Sequence, residues 1–253
     1  MRRSIAVLAL AAMLAACGAT PEQTYQGWIE ADLVFVGPDE AGRVEELSVR
    51  EGETVAAGAP LFTLEAELQR ADVYAADAAL ANAKQAFERA QQLAKTGSGT
   101  QTALDNAQAA LRETEARLNS AKTRLARRKV ASPVNGAVQQ IYFRPGELVT
   151  AGRPIVALLP PGNMKVRFYV PEAMLPKISI GDAVRVRCDG CPDDLSARIS
   201  FIARSAEYTP PVIYSLEERT KLVFLVEARP ERPERLRVGQ PVSVVVTPRE
   251  AGQ

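Results

Sequence analysis

The side chains that most often do chemistry in proteins are scarce in this sequence. Among its 253 residues there are three cysteines, Cys17, Cys188 and Cys191, and no histidine. Histidine is the commonest general base, supplies the imidazole of catalytic triads and is the usual zinc ligand. There is also no phosphate-binding glycine loop. We therefore predict that the chain has no catalytic residue, no cofactor site and no metal site.

The charge balance gives no support to nucleic-acid binding. The sequence has 31 Lys and Arg against 30 Asp and Glu, and loss of Arg2 and Arg3 with a leader would leave 29 against 30. Such a chain has no strong field to attract a polyanion, so we expect no nucleic-acid partner. Its composition, 47% hydrophobic and 24% charged, is that of a globular protein with one large domain or two to four small modules.

Cys17 ends a segment with the features of an export signal. Arg2 and Arg3 are followed by an apolar stretch, residues 4–16, which is too short for a comfortable membrane span. The sequence Leu-Ala-Ala-Cys at 14–17 resembles the bacterial lipobox, whose cysteine receives a diacylglyceryl group and becomes the first residue of the mature protein. The resemblance implies a lipid anchor at Cys17 on a periplasmic membrane face. A plain secretory leader is the alternative.

Cys188 and Cys191 flank Asp189-Gly190, and Asp-Gly between alternating apolar residues predicts a two-residue hairpin. Residues facing each other across such a hairpin lie at about 5.5 Å, within reach of a disulfide. An oxidising compartment favours that bond. No helix follows the pair and there is no second cysteine pair or histidine, so we expect a structural disulfide rather than a redox motif or half of a metal site.

The elements that carry these residues include an internal repeat with an offset of 94 residues. Residues 42–64 align with residues 136–158. The returning turn residues are Gly42, Gly52, Gly58 and Pro60, which recur as Gly136, Gly146, Gly152 and Pro154. The returning apolar residues are Val44, Leu47, Val55, Leu61 and Leu64, which recur as Val138, Ile141, Val149, Ile155 and Leu158. The pattern predicts a repeated β unit, with glycines at turns that need a positive φ and strands with one buried face.

Residues 65–131 separate the two repeats and consist mostly of strong helix formers without a proline. Apolar and small residues three and four apart predict a seam on each of two helices. The first seam is Val73, Ala76, Leu80, Ala83, Phe87, Ala90 and Ala94, and the second is Leu104, Ala107, Leu111, Thr114, Leu118, Ala121 and Leu125. Two glycines interrupt the pattern at residues 96–100. We therefore predict an antiparallel coiled-coil hairpin with arms of roughly 45 Å and a left-handed supercoil.

The pattern changes to β from residue 163 onward. Strand-length runs rich in Val, Ile and Phe are bounded by Pro or Gly and predict a small β-barrel. These runs are Met164–Val170, Ala183–Cys188, Ala197–Ala203, Lys221–Ala228 and a last strand within Arg237–Val246. The segment Thr24–Val36 is a candidate partner of the last strand.

The two repeats resemble the half-motifs of the biotinyl/lipoyl domain. In a carrier domain a modified lysine lies on the turn between the halves, whereas Lys84, Lys95, Lys122 and Lys129 lie in helical sequence here. A carrier subunit of an enzyme is therefore the weakest alternative. The lipobox, the split lipoyl-like repeat and the following barrel together resemble HlyD-like membrane fusion proteins. The segments 206–214 and 221–224 are similar to stretches of the short YbhG-like adaptors.

The resemblance implies an elongated α+β fold of several modules. The expected modules are a signal peptide at 1–16, a lipid-anchored tether and barrel strand at 17–37, a first lipoyl half at 38–64, a coiled-coil hairpin at 65–131 with its tip at 96–100, a second lipoyl half at 132–160, a β-barrel at 161–248 and a tail at 249–253.

The resemblance also implies a function without catalysis. Such a protein would be a periplasmic adaptor in a Gram-negative bacterium, anchored to the inner membrane and assembled into a hexameric ring. It would link an inner-membrane transporter, ABC-type favoured over RND and MFS types, to a TolC-type outer-membrane channel for export of small molecules or toxic compounds. An envelope lipoprotein whose hairpin only spaces or scaffolds other proteins is the alternative.

The segment before the hairpin turn resembles the Arg-x3-Leu-x6-Ser motif by which such adaptors meet the channel. Arg89 and Leu93 match the motif, and Thr100 replaces the serine with another hydroxyl that can cap the second helix. In the heptad of the seam, Arg89 falls at c and Leu93 at g, so both point away from the partner helix. A solvated arginine beside a stray leucine, or a contact with a neighbouring protomer, is the alternative.

Overall fold

The structure is a computed structural model that describes residues 23–192, 194–208 and 222–246. The chain divides into two compact units, one formed by residues 32–161 and the other by residues 23–31 together with 162–246. The predicted signal peptide at 1–16, Cys17, the tether before residue 23 and the tail at 249–253 lie outside the described residues.

The described part contains two long helices, α1 (Glu67–Lys95) and α2 (Gln101–Ala126), and short 3-10 turns at Pro161–Asn163, Glu172–Lys177 and Pro233–Arg235. Its strands are β1 (Gln23–Ala31), β2 (Val34–Val36), β3 (Gly42–Leu47), β4 (Thr54–Val55), β5 (Pro60–Leu64), β6 (Lys129–Ala131), β7 (Gly136–Ile141), β8 (Leu148–Val149), β9 (Val156–Leu159), β10 (Met164–Pro171), β11 (Ala183–Arg187), β12 (Ser196–Ile202), β13 (Glu207–Tyr208), β14 (Leu222–Pro230) and β15 (Pro241–Val246).

The unit at 32–161 contains two four-stranded sheets whose layouts repeat each other. Their strand orders are β2-β9-β7-β4 and β6-β5-β3-β8. Each strand of the first sheet lies about 94 residues before or after the strand at the same place in the second sheet. The register repeats as well, because Gly42 lies opposite Val149 and Gly136 lies opposite Val55. β2 and β4 of the first half flank β9 and β7, and β6 and β8 of the second half flank β5 and β3. Each half therefore gives two short strands to the sheet of the other half.

Apolar residues shared by both halves form one core between these sheets. The buried members are Val36, Val44, Val49, Val55, Leu61, Phe62, Leu64, Val138, Ile141, Val149, Ile155, Val156 and Leu158. All five apolar pairs of the repeat contribute at least one member to it. Because the core belongs to both halves, neither half can bury its apolar face without the other.

The repeated positions require glycine for two different reasons, a positive φ and a lack of space for a Cβ. Gly52 and Gly146 have φ values of +86° and +93°, the left-handed turn conformation that the sequence predicts for them. Gly136 is an extended residue of β7, and a Cβ there would lie 2.7 Å from the carbonyl oxygen of Leu159. At the equivalent Gly42, a Cβ would lie 2.6 Å from Nη1 of Arg128.

The helices α1 and α2 form a hairpin, joined by residues 96–100 and packed against each other. Every residue of the two predicted seams is at least half-buried, and Leu118 is buried. The contact face is therefore the one that the spacing of apolar and small residues predicts. The outward faces carry the charges, as in the ion pair between Glu113 and Arg117 at 2.6 Å.

Two predicted module boundaries are wrong by a short strand each. Residues 129–131 form β6, which pairs with β5, so the helical insertion is shorter than the predicted 65–131. Residues 34–36 form β2, which pairs with β9, so they belong to the repeat and not to the barrel strand predicted within 17–37. Three-residue strands at a sheet edge carry too little periodicity to be separated from the neighbouring helix or strand.

The other unit is a closed six-stranded barrel, which confirms the predicted β-barrel. The antiparallel order is β10-β1-β15-β11-β12-β14, and pairing of β14 with β10 closes the ring, while β13 adds to the edge of β14. The expected pairing of the N-terminal segment with the last strand is present, because Gln23 lies opposite Val246 and Trp28 opposite Pro241. Buried alternate residues of the ring fill it: Ile29, Val166, Phe168, Val170, Val184, Val186, Ala197, Ile199, Val226, Ala228, Val242, Val244 and Val246.

Ion pairs on the barrel exterior support the closing strands. Arg167 on β10 donates to Glu30 on β1 at 2.7 Å, and Lys165 lies 3.2 Å from Glu227 on β14. The hydrogen bond with Glu30 raises the pKa of Arg167 above its ordinary value, and the Arg167 guanidinium also lies 6.0 Å from the ring centre of Trp28. These contacts join the first barrel strand to the two strands that complete the ring.

Candidate interaction site at the hairpin tip

The turn between the helices is fixed to the last turn of α1 by backbone hydrogen bonds. Gly97 has a φ of +73°, and its N–H donates to the carbonyl of Ala94 at 3.2 Å. The N–H of Ser98 donates to the carbonyl of Leu93 at 3.0 Å, and that of Gly99 donates to the same carbonyl at 2.9 Å. This is the Schellman pattern, in which a left-handed glycine ends a helix and satisfies its last carbonyls.

Thr100 begins the second helix as its N-cap. Its backbone is extended, with φ −95° and ψ 149°, and its Oγ1 accepts a hydrogen bond from the N–H of Ala103 at 3.2 Å. The preceding Gly99 packs closely, because a Cβ there would lie 3.0 Å from atoms of Leu93 and Ala94. The hydroxyl of Thr100 therefore has the capping position that the sequence permits, after a glycine at which a side chain would fit tightly.

Arg89 and Leu93 lie one turn apart on the outer face of α1. Both are exposed, and Leu93 leaves 51% of its surface accessible although leucine is ordinarily an interior residue. With Gln85, Glu88 and Gln92 they line a shallow open depression of about 550 Å³. The structure thus brings two of the three motif residues together and places Thr100 at the start of the other helix. The face offers an apolar contact beside a guanidinium with several donors.

A buried arginine at the base of the hairpin is absent from the sequence-based predictions. Arg128 follows α2 and is only 6% exposed. Its Nη1 donates to the carbonyl of Ala41 at 2.9 Å, and its Nη2 lies 3.1 Å from a carboxylate oxygen of Glu40. With the Gln69 amide oriented so that its oxygen faces the guanidinium, Nε donates to that oxygen at 3.2 Å. Arg128 therefore ties both helices to the loop that precedes β3. The one sequence signal was the repeated Gly42, which leaves the space that the guanidinium occupies.

Neighbouring charges reinforce this junction. Arg127 lies 3.5 Å from Asp39, and Arg124 lies 4.0 Å from Glu40. Both arginines are mostly exposed, so each pair contributes little on its own. Their position in and just after the last turn of α2 also suits the partial negative charge at a helix C-terminus.

Cys188 and Cys191 lie on a tight turn, with their sulfur atoms at bonding distance and their Cα atoms 5.2 Å apart. Gly190 has a φ of +75°, and the N–H of Cys191 donates to the carbonyl of Cys188 at 3.1 Å. The predicted two-residue hairpin is nevertheless wrong, because the ladder between β11 and β12 ends at Arg185 opposite Ser196. Pro192 follows the turn and has no N–H to donate, so the strands are joined by a longer loop.

Within residues 23–192, 194–208 and 222–246, no cluster of three or more Cys, Asp or Glu side chains is arranged to hold a metal ion. In the same ranges, neither long helix is apolar enough to cross a membrane.

Residues 32–159 match the family model described as RND MFP, barrel-sandwich hybrid domain. The match spans both sheets and the helical hairpin. This chain belongs to the RND membrane fusion protein family. Membrane fusion proteins are non-enzymatic structural components of transport systems.

Two relatives and one solved structure show how far the likeness extends. A UPF0194 membrane protein of Acidithiobacillus ferridurans is 30% identical over 205 residues, which are 67% of this chain and 61% of the relative. The UPF0194 membrane protein YbhG of Salmonella gallinarum is 30% identical over 115 residues, 45% of this chain and 35% of the relative. This membrane fusion protein thus spans less than two thirds of the length of these relatives.

The solved structure is a MacA-MexA chimeric protein that contains the Pseudomonas aeruginosa MexA alpha-hairpin domain. It has a TM-score of 0.69 and 20% sequence identity, and the match covers 88% of this chain and 79% of the chimera. At this identity the likeness is one of fold. It supports the mixed α+β architecture with a closed barrel that the membrane fusion protein described here has.

We predict that Arg128→Met lowers the free energy of unfolding of the unit at 32–161 by about 2 kcal/mol, because Glu40, Gln69 and the carbonyl of Ala41 lose a buried charged donor. Urea unfolding followed by the circular dichroism of the helices measures it. The matched control is Arg127→Met, whose side chain is 61% exposed and should cost less than about 1 kcal/mol. Equal losses in the two variants would show that Arg128 has no special role at the junction.

Proposed function

We propose that this chain is a periplasmic adaptor that links an inner-membrane transporter to a TolC-type outer-membrane channel for export of small molecules or toxic compounds. Membership of the membrane fusion protein family supports the class of function. The observation that carries the specific proposal is the exposed pair Arg89 and Leu93 beside a hydrogen-bonded hairpin turn. An outward leucine next to an arginine is suited to a protein contact and has no part in packing α1 against α2.

In this proposal the unit at 32–161 is a split lipoyl-like domain, and α1 and α2 are its coiled-coil insertion. The helices take the place of the turn that presents a modified lysine in carrier domains, so no covalent cofactor is involved. The adaptors assemble into a hexameric ring on a transporter, ABC-type favoured, which supplies the energy for export. The adaptor contributes a conduit.

The proposed channel contact consists of Arg89, Leu93 and Thr100. Leu93 packs into a groove between helices of the channel, while Arg89 pairs with a carboxylate or a backbone carbonyl there. Thr100 offers a polar contact from the cap of α2. An interface of so few residues concentrates its binding energy in its anchors, so that loss of one could cost on the order of 2 kcal/mol per protomer, repeated around the ring.

The lipid anchor at Cys17 is the second part of the proposal. It rests on the lipobox-like sequence at 14–17, because Cys17 lies outside the described residues. Acylation would hold the mature protein on the periplasmic face of the inner membrane, with the acyl chains supplying affinity at about 0.8 kcal/mol per buried methylene.

We predict that Arg89→Asp combined with Leu93→Ser abolishes export while folding and membrane anchoring are unchanged. Both side chains are exposed, so their replacement should alter the channel contact without disturbing the helix seam. Complementation of a deletion strain, scored by survival in toxic compounds, measures export. Crosslinking to the channel from a cysteine that replaces Gly97 measures the contact.

The matched control is Leu68→Ser combined with Arg112→Asp. Leu68 is 78% exposed near the start of α1, and Arg112 is exposed in the middle of α2, so the control changes the same residue types on the same hairpin. Export at the wild-type level by the Arg89 and Leu93 variant, or equal loss in the control, would rule out the tip assignment.

The anchor predicts that Cys17→Ser gives a protein that is exported to the periplasm but is not acylated. In a strain without the partner proteins, most of the serine variant should move from the membrane fraction to the soluble fraction, because the acyl chains supply most of the affinity for the bilayer. Intact mass of the wild-type protein provides the independent check. Membrane recovery of the variant equal to that of wild type would contradict the assignment.

We also propose that Cys188 and Cys191 are joined by a structural disulfide in the periplasm. Free-thiol titration of the protein purified from the periplasm without reductant should find neither thiol free. Because the bond closes a very short loop, reduction should lower barrel stability by less than the roughly 3 kcal/mol estimated for a 15-residue loop. Recovery of two free thiols would exclude the bond.

A further inference from the structure

One end of the barrel contains the start of β1 and the end of β15, because Gln23 lies opposite Val246. The turn before β11 lies at the same end, since Val184 also pairs with Val246 and the N–H of Gly181 donates to the carbonyl of Ile199 at 2.7 Å. We call this the anchor-side end, because β1 is the strand that follows the tether from Cys17. The turn before β15, with Val238, lies at the opposite end, where β1 finishes.

Two large apolar side chains project from the anchor-side end. Ile180, in the turn before β11, leaves 68% of its surface exposed. Phe201 on β12 leaves 45% of its surface exposed. It follows the pair formed by Ala183 and Arg198 and a bulge, so it lies in the part of β12 that is nearest to this end. By contrast, Ile199 on the same strand is 2% exposed and fills the barrel. Their exposure shows that neither Ile180 nor Phe201 fills the barrel.

Basic side chains lie within three residues of each member of the apolar pair in the sequence. Lys177 ends the 3-10 turn that precedes Ile180, and Arg204 follows β12 two residues after its end; both are exposed. Exposed apolar residues next to lysine and arginine are the combination that favours the interfacial region of a bilayer, where the apolar groups enter the headgroup layer and the cations meet phosphates.

The tether sets how far this end can lie from a membrane. Only five residues separate Cys17 from Gln23. Fully extended, the six steps between these two residues span at most about 20 Å. The nine residues of β1 then place the opposite end of the barrel roughly 30 Å farther along the strand direction.

We propose that the anchor-side end of the barrel rests on the lipid surface, with Ile180 and Phe201 in the headgroup region and Lys177 and Arg204 against lipid phosphates. The proposal extends the anchoring proposed for Cys17 by giving the anchored barrel a defined orientation. The partner is the bilayer itself. The contact restricts tilting of the barrel about its attachment at Cys17, which a single lipid anchor does not restrict.

The test removes any dependence on acylation. The mature chain, started at residue 18 with an N-terminal hexahistidine tag, is bound to phosphatidylethanolamine and phosphatidylglycerol vesicles that contain a nickel-chelating lipid. The chain itself has no histidine, so the tag provides the attachment. Single cysteines that replace Ile180, Phe201 or Val238 carry an environment-sensitive fluorophore, in a Cys188→Ser, Cys191→Ser background. Nitroxide groups on the lipid headgroups act as quenchers.

Labels at 180 and 201 should be quenched at least about threefold more than the label at 238, because only the anchor-side end enters the headgroup layer. Val238 is the matched control, as an apolar side chain with 43% exposure at the opposite end. Equal quenching at the three positions would overturn the proposal. Failure of Cys17 to be acylated would appear in the intact mass of the native protein and would leave this experiment unaffected.

A second measurement separates contact from mere proximity. The untagged mature chain without acyl groups is sedimented with the same vesicles, where Ile180→Asp combined with Phe201→Asp should lower its partition coefficient about tenfold and Val238→Asp should not change it. Equal binding of all variants would refute membrane contact. Labels that stay in water on vesicles but crosslink to a membrane protein in cells would show that this end docks on protein instead.

Discussion

The pairing of β5 with β6 is the contact on which the rest of the unit at 32–161 depends. It places Thr63 opposite Lys129, and the N–H of Leu64 donates to the carbonyl of Arg128 at 2.8 Å. The two ends of a helical insertion of about sixty residues are thereby held at the spacing of neighbouring strands. The entropy of closing so long a segment grows only slowly with its length, which is why the sheet can hold a long hairpin without losing its own pairing.

Strand exchange between the two halves makes this arrangement cooperative. β4 completes the sheet built around β7, and β8 completes the one built around β3. Separation of the halves would expose the shared core on both sides, so the sheets cannot open at one half alone. Arg128 extends the same cooperativity into the hairpin, because its guanidinium contacts a loop before β3 and a residue of α1 at once.

The sequence predicts those parts of the fold that rest on periodic signals. The 94-residue repeat anticipated the duplicated strands, and the spacing of residues such as Leu80, Phe87 and Leu118 anticipated the contact face of the helices. The barrel followed from alternation in the C-terminal strands. The exchange of β4 and β8 could not be predicted, because two-residue strands have no period and their partner is decided by the packed core.

In the candidate site, too, some features could be predicted from the sequence and others could not. Exposure of Arg89 and Leu93 follows from the heptad, and the cap at Thr100 follows from its residue type. The burial of Arg128 does not, because an arginine after a helix is ordinarily solvated and becomes buried only when tertiary partners surround it. The loop after Cys191 was also missed, since local turn chemistry predicts the turn at Asp189-Gly190 but not where the ladder resumes.

The turn at Gly97 has a consequence for any protein that meets the hairpin tip. The backbone of Leu93 accepts from both Ser98 and Gly99, while its side chain points outward. Leu93 is thus both the exposed apolar residue of the tip and the residue whose carbonyl accepts the hydrogen bonds of the loop. A partner would meet a surface that is already ordered, so little conformational entropy is lost on association and more of the contact energy appears as affinity.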